Sequence, residues 1–179
     1  MSMKQKIKLL LVGIGGLFLL FTIIGLIIPS SVKISRGVII EADSIQVMQT
    51  VMNVKTWPEW MSWMQSKNGA LIQFTVQNGQ PAVEWRSVEN KDKGMISMTG
   101  TNNDLIEMLH EFPGMNAAKG GIRIRSAGQH QTEVLWMMEY PLRWYPWERF
   151  EGIFLDSMIG AALEKALNDL NEYMKRGGV

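Results

Sequence analysis

The sequence predicts an α+β fold: an apolar N-terminal helix, a curved antiparallel sheet of about seven strands, and a long C-terminal helix gripped by that sheet. Three observations carry this. Leu9–Ile28, LLLVGIGGLFLLFTIIGLII, holds twenty positions without a charge. Leu71–Leu142 breaks into short apolar runs separated by turn signals. Pro146–Lys175 repeats apolar pairs at helical spacing before Gly177-Gly178.

At 1.5 Å per residue the first run spans about 30 Å as a helix, the thickness of a bilayer's hydrocarbon core. Lys4, Lys6 and Lys8 precede it, and Lys33 and Arg36 follow Pro29. The excess of cations on the N-terminal side places the N-terminus in the cytoplasm and the rest of the chain on the extracytoplasmic (periplasmic) side of a single-pass protein. A cleaved signal peptide would have a shorter apolar region, about 7–15 residues, ending in a small-x-small site. The step Ile27-Ile28-Pro29-Ser30-Ser31 offers a poor one. The expected organisation is therefore a cytoplasmic segment 1–8, a transmembrane helix 9–28, a linker 29–31 and one folded domain, 32–176. The lipid bilayer is the first expected partner.

The elements follow in order. Ser31–Glu41 reads as a strand, with Val32, Ile34 and Val38–Ile40 apolar. Asp43 and Gln46 form a capping-box pattern for a helix carrying Ile45, Val47, Met48, Val51, Met52 and Val54. Trp57-Pro58-Glu59-Trp60-Met61-Ser62-Trp63 places Pro58 in the first turn of a second helix. Leu71–Val76 and Ala82–Val88 flank Asn78-Gly79, a hairpin turn. Met95–Thr101, Asp104–Phe112, Gly121–Ser126 and Glu133–Leu142 complete the strands. In the last helix, Phe154/Leu155, Met158/Ile159, Ala162/Leu163, Ala166/Leu167 and Leu170 read as one stripe on the concave face of the sheet.

Composition removes several function classes. There are no cysteines, hence no disulfides, thiolate nucleophiles or Cys-held metals. The chain has 18 Lys and Arg against 17 Asp and Glu, so without the three N-terminal lysines the remainder is about −2. That argues against a general nucleic-acid binder. Two separated histidines, His110 and His130, make no metal site, and no cofactor motif is present. Seven Trp and fourteen Met suit either core packing or the lining of an apolar cavity.

Several motifs carry a resemblance. They are the Pro29-Ser30 step after the apolar run and the Trp57–Trp63 segment, similar to W-P-x-W-S-P-W. They also include Val134-Leu135-Trp136-Met137-Met138, similar to V-x-W-x-M, and Met158-Ile159-Gly160 followed by Glu164-Lys165. Over residues 29–175 the chain resembles the START-like helix-grip superfamily, and within it the bacterial polyketide cyclase/dehydrase-type (SRPBCC) family with an N-terminal membrane anchor. Met61-Ser62 replaces that family's Ser-Pro pair. The resemblance implies a cavity beneath the C-terminal helix. The superfamily holds lipid carriers, hormone receptors and cyclases, so it leaves function open.

Alternation assigns an inner face to Val83 and Trp85, to Ile106, Met108, His110 and Phe112, and to Val134, Trp136, Met138 and Tyr140. Trp57, Trp60, Trp63, Trp85, Met108, His110, Trp136, Met138, Tyr140, Ile159 and Leu163 are the candidate cavity residues. His110 is either a hydrogen-bonding anchor or acid/base for a ligand, or a histidine satisfied by a neighbour or by the sheet's rim. Trp57, Trp60 and Trp63 are either a cavity mouth, core pins or interfacial aromatics. Trp144-Tyr145-Pro146-Trp147 is either an entrance lip or a membrane contact. Leu135 and Met137 fall on the outer face, where a membrane-protein partner or the membrane would meet them. The leading function is binding of a lipid or other apolar small molecule next to a membrane. An accessory subunit of a membrane complex and a cyclase/dehydratase-type enzyme using His110 or Tyr140 are the alternatives. No catalytic set is legible, and no metal or cofactor is expected.

Overall fold

The computed structural model describes residues 2–64, 70–88 and 92–177. Helix α1 spans Met3–Ile27. It begins earlier than expected because Ser2 and Gln5 close a capping box, which places the three lysines on the helix itself. It ends before Pro29, where Ile28 turns extended as the residue before a proline must. Helix α1 is long and apolar enough to cross a membrane.

The remaining elements are β1 (Ser31–Ile40), α2 (Ser44–Met52), α3 (Trp57–Trp60), β2 (Ala70–Gln77), β3 (Gln80–Ser87), β4 (Lys93–Asn102), β5 (Leu105–Glu111), β6 (Ala118–Gly128), β7 (Gln131–Pro141) and α4 (Pro146–Lys175). Short 3-10 turns flank α3 at Val54–Thr56 and Ser62–Met64. The seven strands form one antiparallel sheet in the order β1-β7-β6-β5-β4-β3-β2. The β2–β3 turn uses positive φ at Asn78 and Gly79, as a two-residue hairpin requires. Register shifts at Met98/Gly100 and Ser126/Gly128 mark the bulges that help the sheet curl.

Two local expectations differ from the structure. Asp43 precedes α2, but its side chain caps nothing. Its carboxylate instead meets His130 Nδ1 at 3.1 Å, across the sheet's end. In α4 only one member of each early apolar pair is inside. Leu155 and Leu163 are buried and Ile159 is half-buried, while Phe154, Met158 and Ala162 face outward. A helix turns about 100° per residue, so adjacent apolar residues cannot share one narrow stripe.

Helix α4 packs mainly along β1, and α2 and α3 close the same side of the sheet. The core gathers Ile34, Ile40, Val51, Trp57, Trp60, Ile122, Val134, Trp136, Leu167 and Leu170. One charge reaches inward. Arg36 pairs with Trp136 across the β1–β7 ladder, and its guanidinium bonds both carboxylate oxygens of Asp156 on α4 at 3.2 Å. Gly160 makes room for it, since a Cβ there would strike the guanidinium.

Candidate functional site

The inner face of the sheet carries a row of rings. Trp85 and Phe112 lie 5.8 Å apart, Phe112 and His110 6.3 Å, His110 and Trp136 6.0 Å, and Trp136 and Trp60 6.2 Å. The row crosses from β3 through β5 to β7 because Trp85, His110 and Trp136 all occupy inward parity. Between part of this row and α4 lies a pocket of about 450 Å³. Trp85, His110, Phe112 and Trp136 form its sheet wall, Ile159 and Leu163 its helix wall, and the exposed Met158 and Ala162 its edge on α4. Pro113, Met115 and the exposed Asp92 complete the rim. Its volume suits a small organic ligand.

His110 is the chemically informative group. It has no solvent exposure, and among the described residues neither ring nitrogen has a hydrogen bond of good geometry. Burial pushes its pKa down to about 4, opposed by a marginal hydrogen bond with the Ala118 backbone across the ladder. The ring is therefore neutral at physiological pH, with one N–H to donate and one lone pair to accept. Leaving such a group unpaired costs about 1–3 kcal/mol. Buried polar side chains are normally satisfied, so a ligand group that parted the surrounding rings to reach His110 would recover that cost.

The structure brings together Trp85, His110, Trp136, Ile159 and Leu163 of the candidate residues. It places the others elsewhere. Trp57 is a core pin: its indole N–H donates to the Val51 carbonyl at 2.8 Å. Trp60 is equally buried, its N–H 3.4 Å from Thr56 Oγ1. The side chain of Trp63 lies outside the described residues. Met108 and Met138 are packed in the core. Tyr140 borders a separate pocket of about 270 Å³ with Asn116, Arg143, Trp147, Glu148 and Glu151. Burial raises the Tyr140 pKa, so the phenol keeps its proton. His110 and Tyr140 thus line different pockets and form no acid–base pair.

Asp92, Phe112, Pro113, Met115, Met158 and Ala162 are pocket residues absent from the candidate set. Phe112 shared its alternation with His110, and Met158 and Ala162 neighbour Ile159 and Leu163, so parity and helical spacing carried the signal. Met115 sits in the irregular stretch after β5, where no periodicity points inward.

A larger trough, about 810 Å³, crosses the outer face over Gly120 and Gly121, bordered by Lys33, Lys119, Glu107 and Glu139. Its charges alternate in sign, and it holds no buried group comparable to His110. Further along this face Asp104 pairs with Arg123 and Arg125.

No family model matches the sequence, and no curated protein matches it. Solved structures do match in fold. The chain superposes on an aromatase/cyclase from a Streptomyces species with a TM-score of 0.63 at 13% identity, covering 83% of this chain and 99% of that one. A START superfamily protein from Mycobacterium smegmatis gives 0.58 at 13%, covering 80% and 97%. Norcoclaurine synthase from Thalictrum flavum, in complex with dopamine and hydroxybenzaldehyde, gives 0.62 at 12%, covering 86% and 92%. The chain therefore has the START-like helix-grip fold. At these identities the likeness is one of fold, so function rests on the pocket.

Proposed function

We propose that this chain is a membrane-tethered binder of an apolar small molecule or lipid, held between the sheet and α4. The observation that carries the reading is a neutral His110, without a well-formed hydrogen bond among the described residues, behind the wall of a pocket that is aromatic and aliphatic apart from Asp92 at its rim. The favoured ligand has an apolar body against Trp85, Phe112, Trp136 and Leu163, and one hydroxyl or carbonyl directed at His110. The comparison proteins, one bound to small aromatic molecules, support a ligand site in this fold.

In this reading α1 remains attached, with its N-terminus in the cytoplasm and the domain outside. The lysines at positions 4, 6 and 8 support that orientation. An alkaline phosphatase fused after the domain is expected to be active, since the enzyme matures only outside the cytoplasm; an inactive fusion would reverse the topology.

Full-length protein purified in mild detergent, examined by native mass spectrometry and solvent extraction, tests the binding. One apolar molecule per chain is expected, and Leu163→Trp, which fills the pocket, is expected to reduce its occupancy at least tenfold. Recovery of no molecule from the wild type, or equal recovery from both, would overturn the reading.

A further inference from the structure

Helix α4 changes character halfway along. From Glu164 onward its outward positions are Glu164, Lys165, Asn168, Glu172 and Lys175, all exposed, as on an ordinary surface helix. Over Trp147–Ala162 the outward half-circle instead holds Trp147, Ile153, Phe154 and Met158, exposed by 58, 60, 64 and 69%. Alanines at 161 and 162 extend it; the exposed polar residues of these turns are Glu151, Ser157 and Asp156, the last paired with Arg36. A contiguous exposed apolar face of this kind marks a contact with a partner or a membrane. Something covers these turns.

The position of α1 indicates what does. Phe21 of α1 meets Phe150 of α4 edge-on at 5.9 Å, and the Arg149 guanidinium bonds the carbonyl of Ile28, where α1 ends. The apolar half of α4 thus starts where the membrane-competent helix stops. Beside that junction Tyr145 stacks on Trp147 at 5.1 Å and meets Trp144 at a tilt at 5.0 Å. Amphipathic rings of this kind gather at the headgroup level of bilayers. Met158 and Ala162, at the far end of the apolar face, are also pocket residues.

We propose that the outward face of α4 from Trp147 to Ala162 lies in the bilayer interface, so that the pocket opens onto lipid rather than water. The ligand then passes between the bilayer and the His110 pocket along α4 without crossing the aqueous phase. This rests on the tethered reading above.

The absence of native cysteines makes single-cysteine labelling clean. Full-length Phe154→Cys, Ile153→Cys, Ala161→Cys, Asn168→Cys, Glu172→Cys and Leu17→Cys would each carry a bimane label, in nanodiscs of phosphatidylethanolamine and phosphatidylglycerol. Circular dichroism would confirm that each is folded, and Ile153→Cys stands in if Phe154→Cys is not. Labels at 153, 154 and 161 are expected to be quenched several-fold more by nitroxide lipids than by aqueous iodide, with the reverse at 168 and 172. Iodide quenching at 153, 154 and 161, with Leu17→Cys still in lipid, would overturn the docked face and leave the tether intact. Protection from both quenchers would mean a protein cover and would also overturn it. Iodide quenching at Leu17→Cys would remove the tether itself.

Discussion

A histidine held at about 4 in the folded chain, and near its ordinary value of about 6.5 in the unfolded one, ties stability to acid. Above pH 6.5 both states carry a neutral ring and nothing is lost. As pH falls below 6.5 the unfolded state takes a proton that the native state refuses, and unfolding gains. By pH 4 this amounts to about 3 kcal/mol. Chemical denaturation between pH 7 and 4 is therefore expected to show the wild type losing about that much more than His110→Phe, which removes the titrating group. Equal losses in the two proteins would show that His110 is not buried and neutral. The same residue marks where sequence reading ends. Parity placed His110 beside Phe112 on the inner face, because strand side chains alternate with a period of two. Whether its nitrogens were paired depended on Ala118 and Trp136, which lie on other strands, and alternation along one strand is silent about them.

Elements were legible wherever their period was strong. The seven strands and both long helices stand within a few residues of where alternation, hairpin turns and the uncharged run place them, except that α1 reaches back to Met3. The Trp57–Trp60 segment has no period, so its indoles could be assigned to core or rim only once Val51 and Thr56 were seen against them. In α4 adjacent apolar residues satisfied the helical pattern equally well on both sides, which concealed the outward face. Two glycines test how these elements approach one another. A Cβ at Gly120 would run into the Met137 carbonyl and the Met138 Cα, rigid backbone of β7. Gly120→Ala is expected to cost about 2 kcal/mol or more. The atoms nearest a Cβ at Gly160 all belong to the movable end of Arg36. There Ala brings about 1 kcal/mol of helix propensity. Displacing the partly exposed Arg36–Asp156 pair removes up to about 1 kcal/mol. Gly160→Ala is therefore expected to leave stability within about 1 kcal/mol of wild type. Urea melts of the two variants side by side would check the contrast.

Across the whole molecule, stability is unevenly distributed. Strand β2 is an edge with Leu71, Phe74 and Val76 exposed, whereas β7 sits between β1 and β6 with Val134, Trp136 and Met138 in the core. Hydrogen exchange is expected to be slowest in β6 and β7 and fastest in β2. Slower exchange in β2 than in β7 would contradict this ordering. The strand order has a temporal side as well. Strand β1 is the first part of the sheet to leave the ribosome, yet Ser31 pairs with Pro141 and Ile40 with Thr132. The partner strand is synthesised about a hundred residues later, and α4, which also covers β1, comes last. Until then β1 is a solitary strand with an open hydrogen-bonding edge, held close to α1. Lys33 and Arg36 interrupt its apolar run, and charges in such a strand discourage pairing with the wrong chain. The nascent protein therefore keeps its opening strand in reserve, and folding concludes by joining the two ends of the domain.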